Sequence, residues 1–199
     1  MPLVDANAKV TGQAWYGDDV RLPNEIIGRI VRSPHHYAKV VSVDTSQAEA
    51  LPGVLAVATG EDAPNKFGVL PVTKDEHAMA VEKVRHVGDL VACVAAVDEA
   101  TAREAASLIK VEYEVLDSIH DMKKGLEDVD EPIHWRGKYH VGSTNVQKRV
   151  FQEFGDRSMV ENPNAMYHGK WKYMGVNHGF TEPHAVVAHW DSNGRLQLY

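Results

Sequence analysis

The alternation of apolar and polar positions is clearest from Asp89 to Leu116, DLVACVAAVDEATAREAASLIKVEYEVL. Leu90 to Val97 is an unbroken run of small apolar and β-branched residues, the pattern of a strand covered on both faces. Asp98 can cap the helix that follows, and Glu99 to Leu108 are mostly good helix formers with an acid in the first turn. From Lys110 to Leu116, Val111, Tyr113 and Val115 alternate with Lys110, Glu112 and Glu114, as a half-buried strand requires. The spacing predicts a strand, a helix and a strand packed into one rigid unit.

The same reading extends back along the chain. Ile26–Arg32 and Ala38–Val43 are predicted strands, separated by a turn at Ser33-Pro34-His35-His36 in which proline is the stiff element. Ser46–Leu51 is a short helix stopped by Pro52-Gly53, Val54–Ala58 a further strand, and Val84–Val87 a short one before the turn at Gly88-Asp89. Between them, Glu61–Lys74 is loop-rich and holds an apolar island, Phe67-Gly68-Val69-Leu70-Pro71. That island either lines a channel to a site built by other parts or tucks into its own domain's core.

Beyond Asp117 the pattern breaks. Residues 117–150 mix charges, Gly, Pro and His without period, which predicts an extended connector. Ile133, Trp135, Tyr139 and Val141 are too apolar for a free linker, so the connector is expected to lie on another surface. Regular structure resumes with a strand over Tyr167–Tyr173 and a hairpin, His184–Trp190 and Arg195–Tyr199, turned by Asp191-Ser192-Asn193-Gly194. A lone hairpin is marginal, so the chain reads as one cut off in mid-strand.

Composition adds exclusions. At 199 residues, 44% hydrophobic and 25% charged, the chain is that of a soluble protein with one domain and part of a second. A net charge of −7, with basic residues scattered apart from Lys123-Lys124 and Lys148-Arg149, argues against nucleic-acid binding. No apolar run approaches the roughly 20 residues of a membrane helix, and the N-terminus lacks a secretory pattern; a cytoplasmic location is expected. The single cysteine, Cys93, precludes an internal disulfide or a cluster held by this chain alone, and its place in the predicted buried strand makes it a core thiol.

Candidate chemistry is sparse. Of eleven histidines, His178, His184 and His189 lie close in sequence, but His184 and His189 would point to opposite faces of a strand, and no HExxH pattern occurs. His35-His36 belongs to a turn. No glycine-rich phosphate loop or nucleophile elbow is present. The carboxylate pairs Asp18-Asp19, Asp75-Glu76 and Glu112/Glu114 read as solvated turn or strand-face charge.

Five short segments, in order, carry a family resemblance. Thr11-Gly12-Gln13-Ala14-Trp15-Tyr16, Ile30-Val31-Arg32-Ser33-Pro34-His35, Leu51-Pro52-Gly53-Val54, Val84-Arg85-His86-Val87-Gly88-Asp89-Leu90-Val91-Ala92 and Val111-Glu112-Tyr113-Glu114-Val115-Leu116 resemble the N-terminal motifs of the molybdenum subunits of the xanthine oxidase and aldehyde oxidase family. Around Phe67–Pro71 and Ala92–Thr101 the likeness is nearest to the large subunit of 4-hydroxybenzoyl-CoA reductase. Val176-Asn177-His178 and Glu182-Pro183 resemble the start of the family's molybdenum-binding region.

The resemblance implies an α+β chain: an α/β hammerhead over 1–118, an extended connector over 119–150, and the opening strands of a truncated molybdopterin-binding domain over 151–199. It implies the N-terminal part of a molybdenum-dependent oxidoreductase, a 4-hydroxybenzoyl-CoA reductase by the nearest likeness. The alternatives are a hydroxylase of aldehydes or N-heterocycles, or a stand-alone interaction module. The implied cofactors are a molybdenum-pterin in the complete enzyme and FAD and iron–sulfur clusters on partner subunits, with none bound to this chain alone. The implied partners are the remainder of the molybdenum subunit, a flavin subunit and an iron–sulfur subunit. No residue here matches the family's catalytic, pterin-binding or metal-binding motifs, so no such position is assigned.

Overall fold

The structure is a computed structural model that describes residues 3–68, 74–134, 141–156, 158 and 167–199. It separates into two compact units, Ile26–Glu153 and the pair Met1–Glu25 with Phe154–Tyr199.

The larger unit is built on a buried strand with helices on one side of it. A short helix α1 (Ala6–Val10) belongs to the other unit; the larger one begins at β1 (Ile27–Arg32) and β2 (Ala38–Asp44), followed by α2 (Ser46–Glu49) and β3 (Val54–Thr59). Two-residue strands β4 (Lys66–Phe67), β5 (Glu76–His77) and β6 (Lys83–Val84) lead to β7 (Leu90–Ala96), α3 (Glu99–Leu108) and β8 (Lys110–Val115). Strand β7 lies between β1 and β3, antiparallel to both, with Val94 opposite Arg29 and Val57. A second antiparallel sheet has the order β6-β2-β8. The two strands flanking α3 therefore belong to different sheets, and α3 is a corner between them.

Alanine explains how closely these parts approach. Ala102 and Ala105 of α3 are fully buried, and Ala105 packs with Ala48 of α2 against Ala92 and Val94 of β7. A larger side chain there would hold the helix off the sheet. Asp98 caps α3 as expected, its carboxylate accepting from the Thr101 amide at 2.8 Å. A second cluster, Ala38, Ala80, Val84 and Val91, fills the space against the β6-β2-β8 sheet, and Val43 and Val111 touch both clusters.

The Asp98 cap gives a pH prediction. Hydrogen bonds from Thr101 hold the Asp98 carboxyl below its ordinary range. A depressed carboxylate contributes stability above its unfolded pKa and loses it as pH falls through the folded value. Asp98→Asn, which keeps an acceptor without a titrating charge, should melt with a shallower acid dependence than the native chain, as followed by circular dichroism between pH 5 and 2.

Two expectations need correction. Strand β7 is covered on both faces only at its start: Val91 is buried on one side and Ala92, Val94 and Ala96 on the other, but Cys93 and Ala95 are only half-buried. Both helices pack on the face of its sheet that carries Ala92 and Val94. Residues 167–173 form no strand; Tyr167, Trp171 and Tyr173 are exposed, with no strand ladder among the described residues to satisfy their backbone. Of the apolar island, Phe67 ends β4, whereas Val69, Leu70 and Pro71 lie outside the described residues.

In the smaller unit the hairpin forms where expected but is shorter, β9 (Ala188–Trp190) paired with β10 (Leu196–Leu198). Only Gly194 of the Asn-Gly pair takes a positive φ, +74°. Asp191 organises the turn, its Oδ1 accepting from the amides of Asn193 and Arg195 at 2.8 and 2.9 Å.

Candidate functional site

The histidines do not converge. His178 stacks on Phe180 and Phe180 meets His184 edge-on, while His35 packs against Tyr113 and His36 against His120. Among the described residues no group of three or more His, Cys, Asp or Glu side chains is placed to hold a metal ion. No chemical step is therefore derived through a metal held by the described residues.

The carboxylate pairs divide. Glu114 accepts from Lys39 Nζ at 3.0 and 3.1 Å and Glu112 from Ser42 at 3.3 Å, a solvated cross-strand ladder as the alternation predicts. Asp19 accepts from the Tyr16 amide. Asp75 departs from expectation: it is largely buried and bonds His134 Nδ1 at 2.9 Å. Nothing local marks this pair, because its members lie 59 residues apart. Cys93 carries no activation; burial pushes its thiol pKa up, against a smaller opposing effect of a backbone hydrogen bond at Ala58.

The most organised polar group is where the connector lies on the hammerhead strands. Lys83, 12% exposed, reaches Glu131 at 2.5 Å and sits 5.8 Å from the Tyr37 ring centroid. Burial works to lower the Lys83 pKa, but the Glu131 hydrogen bond and the neighbouring charges outweigh it and raise the value. The same bond holds the Glu131 carboxyl low. Arg85 Nε donates to the Ile133 carbonyl at 2.9 Å, and the Ile133 amide donates to Asn145 Oδ1 at 2.8 Å. A cavity of about 140 Å³ lies against Ile133, His134, Asn145 and Gln147. With no nucleophile in the group and no metal set among the described residues, this arrangement is a clasp that ties the connector to the strands.

Cutting the clasp should release the connector. Lys83→Ala removes the Glu131 partner and the alkyl stem packed beside it. Limited proteolysis should then cleave within residues 117–150 several-fold faster than in the native chain, with the β7 region still protected; an unchanged rate would show that Lys83 does not hold the connector.

The segments singled out in the sequence meet as structural joints. Ser33 N donates to the Asp89 carbonyl and Gly88 N to the Ser33 carbonyl, both at 2.8 Å, while Arg32 Nη1 donates to the Gly88 carbonyl at 2.9 Å. Asp89 Oδ2 in turn accepts from the Arg85 amide at 2.9 Å. In the Leu51–Val54 turn, Gly53 has φ +95° and accepts from the Val97 amide at 2.9 Å, and a Cβ there would press on Val97 and Thr101 at 3.1 Å. These residues lock strand ends together.

Residues 11–117 match the family described as aldehyde oxidase and xanthine dehydrogenase, a/b hammerhead domain. The chain belongs to that family. Over 98% of its length it is 33% identical to the nicotinate dehydrogenase large molybdopterin subunit of Eubacterium barkeri, of which it covers 44%. Over 74% of its length it is 38% identical to the xanthine dehydrogenase molybdenum-binding subunit of Escherichia coli, covering 21% of that protein. Among solved structures it is similar to the reconstituted CO dehydrogenase from Oligotropha carboxidovorans, 38% identical with a TM-score of 0.57, over 64% of this chain and 16% of that one. The chain thus spans less than half the length of these relatives. The α/β hammerhead architecture expected from the sequence motifs is present, and the clasp joins the connector to that hammerhead.

Proposed function

We propose that this chain is the N-terminal portion of the molybdenum-cofactor subunit of an oxidoreductase. The observation that carries this is the hammerhead match over residues 11–117 together with likeness to a molybdopterin subunit over nearly the whole chain. On this reading the hammerhead spans residues 1–118, residues 119–150 run across it as a connector, and residues 151–199 open the cofactor-binding region. The hammerhead is a rigid wall beside a cofactor held by other residues; the cofactor supplies the redox chemistry, and flavin and iron–sulfur partner subunits carry the electrons. A cytoplasmic location is part of the same reading; among the described residues no helix is long and apolar enough to cross a membrane.

Substrate choice divides two ways. The likeness at Phe67–Pro71 and Ala92–Thr101 supports reductive dehydroxylation of an aromatic CoA thioester, as by a 4-hydroxybenzoyl-CoA reductase. Relatives named for nicotinate and xanthine dehydrogenases support hydroxylation of an N-heterocycle. Turnover assays on the assembly purified from its source, with 4-hydroxybenzoyl-CoA and reduced donor against nicotinate or xanthine and an acceptor, separate them. Metal and pterin analysis tests the coarser reading. The assembly should hold molybdenum and pterin, and the 199-residue chain alone should hold neither; stoichiometric molybdenum on the isolated chain would overturn the scaffold role.

A further inference from the structure

The segment Thr11–Tyr16 takes no part in either core cluster of the hammerhead; it belongs to the smaller unit, with Phe154–Tyr199. There the chain bends twice in quick succession. Thr11 Oγ1 donates to the Asn7 carbonyl at 2.7 Å, and the Gln13 and Ala14 amides both donate to the Ala8 carbonyl, at 2.8 and 3.0 Å. The end of α1 thereby turns through Gly12, at φ +71°. Tyr16 and Asp19 then close one turn of 3-10 helix over Gly17–Asp19. The Tyr16 amide donates to Asp19 Oδ2 and the Asp19 amide to the Tyr16 carbonyl, both at 3.0 Å.

These bends set Gly17 against Ala185, far along the chain. A Cβ built on Gly17 would lie 3.6 Å from the Ala185 carbonyl oxygen and 3.7 Å from the Ala185 Cβ, an ordinary contact. Lys9 of the same segment has its pKa raised chiefly by the hydrogen bond to Asp5, and the charge of Glu182 adds to the effect. Glu182 and Ala185 lead into the hairpin, whose open end is closed by backbone bonds between Val187 and Tyr199 at 3.1 and 2.9 Å. A two-stranded hairpin is marginal by itself, and β9 and β10 have no third strand among the described residues.

We infer that the segment Asp5–Val20 is a strap that fastens the stem of the β9–β10 hairpin through the contact of Gly17 with Ala185. The smaller unit is built from segments before and after the hammerhead, and the hammerhead proper begins at Ile26. This gives Thr11–Tyr16 its task, which is to deliver Gly17 to the hairpin stem. The inference rests on the fold alone; where the functional reading holds, it makes the strap part of the region that opens the cofactor-binding domain.

An engineered crosslink tests the contact. Gly17 does not take a positive φ, so a side chain there is unstrained, and disulfides hold their Cβ atoms about 3.5–4.5 Å apart. In the full chain carrying Cys93→Ser, Gly17→Cys with Ala185→Cys should close an intramolecular disulfide under mild oxidation, read by peptide mass spectrometry. The comparison is Gly175→Cys with Ala185→Cys: nothing lies within 4 Å of a Cβ at Gly175, yet its short loop favours chance closure. The Gly17 pair should close roughly tenfold faster or more. With Cys93 in place, Asp19→Ala removes the acceptor that closes the 3-10 turn. Hydrogen exchange at the Val187 and Tyr199 amides should then quicken several-fold, with the β7 amides unchanged.

Equal closure of the two cysteine pairs, or a bond formed only between two chains, would overturn the strap. So would unchanged exchange at Val187 and Tyr199 in a folded Asp19→Ala chain, or no protection of those amides in the native one. Where the paired cysteines disturb the fold, the exchange measurement decides alone. None of these readouts involves molybdenum, so their failure leaves the functional reading standing.

Discussion

Ala92→Asp should abolish the folded hammerhead. Ala92 is fully buried in the centre of β7, between Val31 of β1 and Thr59 of β3, with its side chain in the alanine-lined space beneath α2 and α3. The buried residues it packs with, Ala48, Val94, Ala105 and Ile109, are all apolar. An unpaired carboxylate placed there costs several kcal/mol even after it protonates, comparable with the roughly 5–15 kcal/mol that hold an ordinary domain folded. Val94→Asp, in the same cluster, should behave alike. The expected readout is loss of the cooperative thermal transition and recovery in the insoluble fraction. Ala56→Asp, in the neighbouring strand β3 but facing solvent, should remain soluble. A cooperatively melting Ala92→Asp chain would show that β7 is not the centre of the fold.

Gly60→Ala should destabilise the same unit through a steric conflict with main chain. Gly60 is buried just after β3, and a Cβ built on it would lie 2.5 Å from the Ala80 carbonyl oxygen and 2.8 Å from that of Met79. Backbone cannot rotate away as a side chain can. Relief requires moving Ala80, whose amide donates to the Leu90 carbonyl at 2.6 Å and whose methyl belongs to the second core cluster. Overpacking of this kind costs about 1–3 kcal/mol, and a chain of this size loses roughly 2–4 °C in Tm for each kcal/mol. Gly60→Val should lose more. Gly28→Ala is the control: nothing lies within 4 Å of its added methyl, so its Tm should be nearly unchanged.

The short motifs were readable because each does local work with a residue type that leaves a signature. Gly53 must take a positive φ and avoid Val97 and Thr101. Ser33, Gly88 and Asp89 exchange backbone bonds where two strand ends meet. Asp98 caps α3 because the first helical amides need an acceptor. Such signals report how the chain folds. They identify the family through its architecture and say little of substrate, since no reacting group depends on them.

Other features depend on partners distant in the chain and left no local mark. Asp75 and His134, Lys83 and Glu131, and Arg85 and Ile133 meet only when the connector lies down on the strands. Each residue alone looks like ordinary surface charge. The predicted strand over Tyr167–Tyr173 failed for the related reason that an alternating pattern states which face could be buried and does not supply the neighbour that would bury it.

By itself, the order of side chains settled β1, β2, β3, β7 and β8, α3 and its cap, the hairpin position and the family, because helix and strand periods and turn chemistry are local properties. Only the tertiary structure decided that β7 and β8 join different sheets, that the connector is clasped at Lys83 and Asp75, and that Cys93 and Ala95 are half-buried where their neighbours along β7 are buried. Those outcomes turn on which elements pack against which, and a run of apolar residues reads the same whether one of its faces is covered or both.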